Sequence, residues 1–122
     1  MQVYLTKCMA RFIRRERIAH ASLREAVERA ERGLIHVDLG GGLIKQRVAR
    51  PGKGRSGDYG TIIAYRRAGR AVFLFGFAKS EREKIEPDEL AELRQIGLNW
   101  LNASTETLSK ALDEDSLEEI VP

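Results

Sequence analysis

The sequence predicts a single α+β domain, with two N-terminal helices packed on a twisted, mainly antiparallel sheet and one or two C-terminal helices. Apolar residues recur at helical spacing before Gly33 and again after Pro87. Between them, over residues 34–78, short apolar runs with strand-like spacing are separated by glycine-rich turns. The chain has 122 residues, of which 43% are hydrophobic, which suits one packed core and is too short for two domains.

Two helices are predicted before Gly33. Apolar side chains at helical spacing predict the first over residues 6–18. The second is predicted to start at a capping box, in which Ser22 and Glu25 satisfy free amides of the first turn. Its apolar face is predicted to consist of Leu23, Ala26, Val27 and Ala30. Gly33 is a typical C-terminal stop for a helix.

Four strands are predicted in the middle of the chain. They cover residues 34–37, 43–50, 59–66 and 71–78. Lys45 and Arg47 are expected to share the polar face of the second strand, since side chains alternate along a strand. Phe73, Phe75 and Phe77 are expected to share one side of the last strand. Apolar residues on both of its sides predict that this strand is central.

The C-terminal part of the chain returns to helical spacing. A helix is predicted after Pro87, with Asp88 and Glu89 in the first turn, where the helix dipole favours acidic groups. A short second helix is predicted over residues 105–112. The domain is therefore predicted to cover residues 1–112, followed by a flexible acidic tail over residues 113–122.

Charge is distributed unevenly along the chain. The net charge is +3, but residues 39–80 carry 9 basic side chains and 1 acidic one, whereas residues 81–122 carry 4 basic and 12 acidic. A block this basic is typical of a surface that binds a polyanion, so nucleic acid is a candidate partner. No apolar run approaches the roughly 20 residues of a membrane span, and no secretory signal is visible, so a cytoplasmic protein is expected.

Several familiar kinds of site do not fit the sequence. Residues 52–57 match G-x-G-x-x-G, but a strand is predicted to follow, and the dinucleotide motif needs a helix there. His20 and His36 have no nearby carboxylate or thiolate pattern, so no metal site is expected. Cys8 cannot form an internal disulfide and is expected to be a small buried residue. An active site would therefore be built mainly from arginine, lysine and tyrosine.

RNA is a substrate that such a site suits. RNA carries its own nucleophile, the 2′-hydroxyl, so cleavage needs positioning, charge neutralisation and proton transfer. A lysine among other cations has a lowered pKa and exchanges protons closer to neutral pH. The loop at residues 51–57 is either a flexible hairpin loop or a means of presenting Lys53 and Arg55 to phosphates. Tyr59, beside this loop, is the candidate for stacking on a base, whereas the three phenylalanines are expected in the core.

Three segments resemble the RelE-like toxins of bacterial toxin–antitoxin systems, especially the HigB-type branch. They are DLGGGLIK at residues 38–45, RVARPGKGRSG at residues 47–57 and FGFAKSER at residues 75–82, and the resemblance extends over residues 5–112. It implies the RelE/ParE fold and a ribosome-dependent mRNA endonuclease that inhibits translation without a metal or other cofactor. It also implies a cognate antitoxin, expected to be a helix-turn-helix DNA-binding protein.

The resemblance implies site residues as well. Catalytic roles are implied for Lys53, Arg55, Lys79 and Arg82. Contacts with the message are implied for Lys45, Arg47 and Arg50, and Arg66 is a further candidate for binding RNA. Gly60 stands where relatives usually carry an arginine that contacts the scissile phosphate, and Arg55 or Arg66 is a candidate to replace it.

Two other functions are also compatible with the sequence. The same fold occurs in ParE-like inhibitors of DNA gyrase, which are binding proteins and not nucleases. The glycine at position 60 also permits a catalytically degenerate toxin that only binds its antitoxin. The basic residues clustered on the predicted strands and loop favour the nuclease over the gyrase inhibitor.

Overall fold

The structure, a computed structural model, describes residues 1–50, 57–78 and 85–121. Within these ranges the chain forms, in order, β1 (Gln2–Thr6), α1 (Lys7–Glu16), α2 (His20–Glu31), β2 (Val37–Gly40), β3 (Leu43–Val48), β4 (Tyr59–Arg66), β5 (Arg70–Ala78), α3 (Pro87–Leu101), α4 (Thr105–Asp113) and β6 (Leu117–Glu119). The strands form one sheet in the order β2-β3-β4-β5-β1-β6. Only the pairing of β1 with β5 is parallel among those described. The predicted α+β class with a mainly antiparallel sheet is confirmed.

The chain begins with a strand that the sequence analysis did not predict. β1 lies between β5 and β6, and its Val3, Tyr4 and Leu5 are all buried. Three consecutive buried residues show no alternation, because both faces of the sheet are covered at this position. Thr6 ends the strand and starts α1, since its side chain accepts a hydrogen bond from the Met9 amide at 3.2 Å.

The start of α2 corrects the predicted capping box. The helix begins at His20 with Ala19 as its N-cap residue, so Ser22 and Glu25 lie inside the helix. The Ser22 amide donates to the Ala19 carbonyl at 3.0 Å, and the Glu25 carboxylate accepts a hydrogen bond from Arg29 at 2.7 Å. The serine–glutamate spacing therefore matches a cap motif without forming one.

The rest of α2 agrees with the sequence. The predicted apolar face is buried: Leu23, Ala26, Val27 and Ala30. Gly33 follows the helix with a φ of 82°, a left-handed conformation that glycine adopts without strain. The Leu34 amide donates to the Arg29 carbonyl at 2.8 Å, which closes the helix end in a Schellman motif. The predicted stop at Gly33 is confirmed.

The phenylalanines of β5 do not share one side, although the strand is central as predicted. Ile62 of β4 lies opposite Phe75, but the next residue, Ile63, lies opposite Phe73. This register shift, a β-bulge, turns Phe73 toward α1 and α2, whereas Phe75 and Phe77 face the opposite side. A bulge within a continuous apolar run does not change the hydrophobic pattern of the sequence. The prediction from strict alternation that the three phenylalanines share one side was therefore wrong.

The end of the chain completes the sheet, which corrects the predicted flexible tail. β6 pairs antiparallel with β1, and the Ile120 amide donates to the Val3 carbonyl at 2.9 Å. Leu117 and Ile120 are only 1% and 4% exposed. Acidic residues surround these two side chains in the sequence, so the composition of this segment predicts exposure to solvent. Leu117 and Ile120 are nevertheless buried.

The sheet separates two clusters of apolar side chains. We call the side that packs against α1 and α2 the N-helix face, and the side that packs against α3 and α4 the C-helix face. α3 packs tightly against the C-helix face at Gly97, where an added Cβ would lie 3.0 Å from side-chain atoms of both Leu43 and Ala64. Leu43 pairs with Ala64 at one end of β3 and β4, so α3 crosses the sheet near that end.

Candidate nucleic-acid interface

Lys45 and Arg47 lie on the C-helix face, farther along β3 than Leu43, against which Gly97 of α3 packs. Leu43 packs in the cluster on this face, and alternation along β3 places Lys45 and Arg47 on the same side. Both are half-buried, whereas Ile44 and Val48 are buried on the N-helix face. The two sides of this strand are as predicted.

The ring of Phe77 lies beside these cations. Phe77 of β5 is directly opposite Gly60 of β4, and Gly60 is directly opposite Arg47 of β3. The Lys45 Nζ lies 5.6 Å from the centroid of the Phe77 ring, which is within the range of a cation–π contact. This end of the C-helix face therefore combines two cations with a buried aromatic ring.

The structure gives a steric reason for a glycine at position 60. A Cβ added to Gly60 would lie 2.5 Å from Cζ and 2.6 Å from Cε2 of Phe77, far closer than atoms can pack. The ring occupies the space that any side chain at position 60 would need. A larger residue there requires the Phe77 ring to move.

The segments that carry the predicted catalytic residues join the sheet at this same end. β3 ends opposite the start of β4, and Tyr59 at the start of β4 lies opposite Ala78 at the end of β5. The catalytic candidates themselves lie outside the described residues: Lys53, Arg55, Lys79 and Arg82. The described strand ends that flank these residues lie near Lys45 and Arg47. The positions of the four candidates stay predictions.

Tyr59 and Arg50, both predicted to contact RNA, lie on the other side of the sheet. Tyr59 is 3% exposed, with its ring edge-on to Phe12 at 5.5 Å between centroids and its hydroxyl donating to Glu16 at 3.1 Å. The Arg50 guanidinium lies 5.3 Å from the centroid of the same ring. Burial, together with the bond to Glu16, raises the pKa of the Tyr59 hydroxyl. Stacking on a base would require this ring to leave the core.

Arg66 lies at the opposite end of β4, where it holds the C-terminus of α3. Its guanidinium donates to the Leu101 carbonyl at 3.0 Å and to Asn102 Oδ1 at 2.9 Å. Arg70 donates to carbonyls of the same helix end. Six residues of strand separate Arg66 from Gly60, or about 20 Å. Arg66 is therefore placed to cap a helix, far from the position where relatives carry arginine.

Sequence reasoning missed the role of Gln46. Its side chain is fully buried, accepts a hydrogen bond from the His36 amide at 2.8 Å and donates to the carbonyls of Ala26 and Leu34 at 2.9 and 3.2 Å. These bonds fix the segment between α2 and β2. The available signal was a polar residue on the apolar side of a predicted strand. His36 itself is exposed and precedes β2, so it is not the strand residue expected.

Cys8 also differs from its prediction. It is exposed in the first turn of α1, because the buried face of that helix is formed by Met9, Ala10, Phe12 and Ile13. Within residues 1–50, 57–78 and 85–121, no three histidine, cysteine or acidic side chains are grouped as metal ligands would be.

Comparison with protein families decides the identity of this fold. A family model described as the RelE toxin of the RelE/RelB toxin–antitoxin system matches residues 1–120. The chain belongs to the RelE toxin family. A search of curated proteins gave no match. As a RelE-family toxin, the protein is the toxin of a toxin–antitoxin system, and an antitoxin partner follows from that membership.

The RelE family match covers residues 1–120, more of the chain than the resemblance over residues 5–112. It includes β1 and β6, which carry Leu5 and Leu117, both essentially inaccessible to solvent. The toxin domain thus contains the strands at both ends of the chain. No helix among the described parts of this RelE-family toxin is both long and apolar enough to cross a membrane.

Proposed function

We propose that this RelE-family toxin is a ribosome-dependent mRNA endonuclease that inhibits translation in the cytoplasm. One observation carries the proposal: Lys45 and Arg47 lie half-buried on the C-helix face, next to the ends of β3, β4 and β5 that flank residues 51–56 and 79–84. Cations on a sheet surface suit the phosphate backbone of a single strand, which they bind without reading its sequence.

The reaction we propose needs no metal. The RNA 2′-hydroxyl attacks the adjacent phosphorus, the bond from phosphorus to the 5′-oxygen breaks, and a 2′,3′-cyclic phosphate and a 5′-hydroxyl result. Lys45 and Arg47 hold the message. Lys53, Arg55, Lys79 and Arg82 are proposed to neutralise the charge on phosphorus and to move protons. HigB-type toxins are the branch that the sequence resembles, and we propose the same activity for this chain.

A second candidate function is supported by Gly60. With the Phe77 ring against this glycine, position 60 supplies no cation to a scissile phosphate. A toxin that binds its antitoxin without cleaving RNA would have this arrangement. The two candidates differ in one measurable outcome, which is whether the message is cut.

The test is regulated expression in a bacterial host, with protein and DNA synthesis followed separately by labelled precursors. The endonuclease proposal predicts that protein synthesis falls first and that new 5′ ends appear within translated reading frames. A reporter without a ribosome-binding site is the matched control and stays intact. An early halt in DNA synthesis with intact messages would favour a ParE-like gyrase inhibitor. Unaffected growth would favour the toxin that only binds its antitoxin.

We also propose that the cognate antitoxin is a helix-turn-helix DNA-binding protein that covers the basic end of the sheet. Arg47 and Arg50 lie on opposite sides of the sheet, so an antitoxin that covers both must pass around the end of β3. Binding of the Arg47→Ala and Arg50→Ala toxins to the antitoxin should be measured across a salt series. Unchanged affinity and salt dependence in both would show that the antitoxin binds elsewhere.

A further inference from the structure

We infer that Arg29 of α2 is a positioning residue: its guanidinium holds the main chain of β3 at Arg47 and thereby fixes the point from which the Arg47 side chain reaches RNA. This rests on the proposed function, in which Arg47 binds the message, and it adds a residue from the helix layer on the N-helix face. The observation behind it is a hydrogen bond from Nη2 of Arg29 to the carbonyl of Arg47. Arg29 acts through Arg47 and does not itself touch RNA.

The outer edge of β3 has no strand partner at Arg47. β2 begins at Val37, which lies opposite Lys45, so β2 ends before it reaches Arg47. The direction of the carbonyl groups alternates along a strand. The Gln46 carbonyl accepts a hydrogen bond from the Thr61 hydroxyl at 2.9 Å and therefore faces β4. The Arg47 carbonyl consequently faces the outer edge, where no described strand can donate to it.

Arg29 supplies the missing hydrogen-bond donor. Its Nη2 donates to the Arg47 carbonyl, and its Nε donates to Glu25, one turn earlier on α2, at 2.7 Å. The Arg29 side chain is only 26% exposed. Because two ends of one planar group are engaged, the guanidinium keeps one orientation. A charged donor also makes a stronger hydrogen bond to a carbonyl than a neutral one does.

This bond determines how well the end of β3 is ordered before RNA arrives. Arg29 and Arg47 both line a cleft of about 460 Å³ at the outer edge, so space remains where a further strand would lie. A strand end without a partner keeps backbone freedom that binding would have to remove. A bond that exists in the free toxin removes that cost in advance, as preorganisation does in binding generally.

Arg24 provides a matched control on the same helix. Its Nη2 donates to the carbonyl of Val121, just beyond β6. β6 is the strand at the opposite edge of the sheet from β2 and β3. Arg24→Met therefore removes one charge and one bond from α2 to a backbone carbonyl, as Arg29→Met does, but far from Arg47.

The experiment is a double-mutant cycle on toxin purified from its antitoxin complex. The variants are Arg29→Met, Arg47→Ala and their combination, with Arg24→Met replacing Arg29→Met in a parallel cycle. The probe is a 2′-O-methylated oligouridylate, which lacks the nucleophile and so binds without being cut. Its affinity is measured at one fixed salt concentration, with an unfolding curve for each variant. Arg29→Met should lower the affinity about two- to threefold when Arg47 is present, no more than one phosphate contact contributes, and should have little effect in the Arg47→Ala protein. Arg24→Met should have the same effect in both.

Arg29→Lys separates the bond from the charge. A lysine keeps the positive charge near Glu25, but its single nitrogen cannot reproduce the fork that reaches both Glu25 and the Arg47 carbonyl. We expect Arg29→Lys to lower the affinity as Arg29→Met does. It also gives the same cycle with Arg47→Ala if Arg29→Met folds poorly.

A second measurement requires no RNA. Amide hydrogen exchange at the end of β3 should become about tenfold faster in Arg29→Met, since the bond that closes this strand end is lost. In Arg24→Met, exchange at the end of β3 should match the wild type.

Three results would overturn the inference and leave the proposed function intact. They are an equal loss of affinity from Arg29→Met with and without Arg47, wild-type affinity of Arg29→Lys, and unchanged exchange at the end of β3 in Arg29→Met. If the wild-type toxin neither binds the oligouridylate nor cuts messages, the proposed function fails and the inference fails with it. The wild-type measurements therefore distinguish the two failures.

Discussion

The two faces of the sheet differ in how completely helices cover them. On the N-helix face, α1 and α2 bury a continuous cluster that includes Phe73 and reaches Val48 at the end of β3. On the C-helix face, α3 crosses near Leu43, and the strand continues beyond it to the half-buried Lys45 and Arg47. One face thus stabilises the domain over its full length, whereas the other combines a smaller core with a cationic surface.

Polar side chains follow the same division. On the N-helix side, tyrosine hydroxyls donate to helix carboxylates, as Tyr59 does to Glu16 and Tyr65 does to Glu31. These hydrogen bonds connect α1 and α2 to the sheet, so the hydroxyls and carboxylates have a structural role. On the C-helix side, the Lys45 ammonium lies 5.6 Å from the centroid of the Phe77 ring, within the range of a cation–π contact.

The largest effect is expected from the core of the N-helix face. Phe73 is completely buried in the central strand, so Phe73→Ala removes its ring and leaves a cavity. Substitutions of this kind cost about 3–5 kcal/mol. Chemical denaturation measures the loss. Phe75→Ala, at a half-buried site on the C-helix face, is the matched comparison and should cost less; equal losses would contradict the difference between the faces.

A smaller loss is expected from the hydrogen bonds of Gln46. Gln46→Leu keeps the volume but leaves the His36 amide and two carbonyls without the partner they have now. The free energy of unfolding should fall by about 2–3 kcal/mol. Gln95→Leu on the outer side of α3, where the side chain is exposed, is the control and should change it by less than about 0.5 kcal/mol. A neutral Gln46→Leu would mean that solvent replaces these bonds.

The cations of the C-helix face are expected to affect RNA binding and not stability. Replacing both Lys45 and Arg47 by alanine should lower affinity for single-stranded RNA about tenfold and reduce the salt slope by about 1.4, at 0.7 per lost phosphate contact. The same two charges removed from α1, by Lys7→Ala with Arg11→Ala, provide the control. Equal losses from both pairs would indicate that net charge alone drives binding.

The smallest expected effect is the pH dependence of the Tyr65–Glu31 bond. The Tyr65 hydroxyl holds the pKa of Glu31 below its usual range, while burial and the same bond raise the pKa of Tyr65. The stabilisation from Glu31 is complete above its unfolded pKa of about 4.3 and is lost as pH falls through the lowered folded pKa. The stabilisation from Tyr65 is complete below its unfolded pKa of about 10 and is lost at higher pH.

Solvent screens the partly exposed Glu31 carboxylate, so the Tyr65–Glu31 bond should contribute only roughly 0.5 kcal/mol to the free energy of unfolding. The measurement is the unfolding free energy at pH 7 and pH 3 for the wild type and Tyr65→Phe. The difference between the two proteins should shrink at pH 3. A constant difference would show that the hydroxyl acts by packing alone.

Local patterns determined much of this protein. The buried face of α2, the stop at Gly33 and the shared side of Lys45 and Arg47 were all predicted, because each follows from the period of one element. The toxin family was indicated by the resemblance of three motif segments to RelE-like toxins, and the family match over residues 1–120 confirms it. The roles of Lys53, Arg55, Lys79 and Arg82 stay predictions, since these residues lie outside the described ranges.

Tertiary structure alone decided how these elements meet. β1 and β6 are strands because each pairs with a strand that is distant in sequence. Neither segment has the alternating hydrophobic pattern that predicts a strand. The bulge that separates Phe73 from Phe77 is a property of the β4–β5 pair and not of either strand. Tyr59 is adjacent to a basic loop in sequence, yet contacts from α1 bury it. The fit of the Phe77 ring on Gly60 joins residues on two strands, so no single segment of sequence contains it.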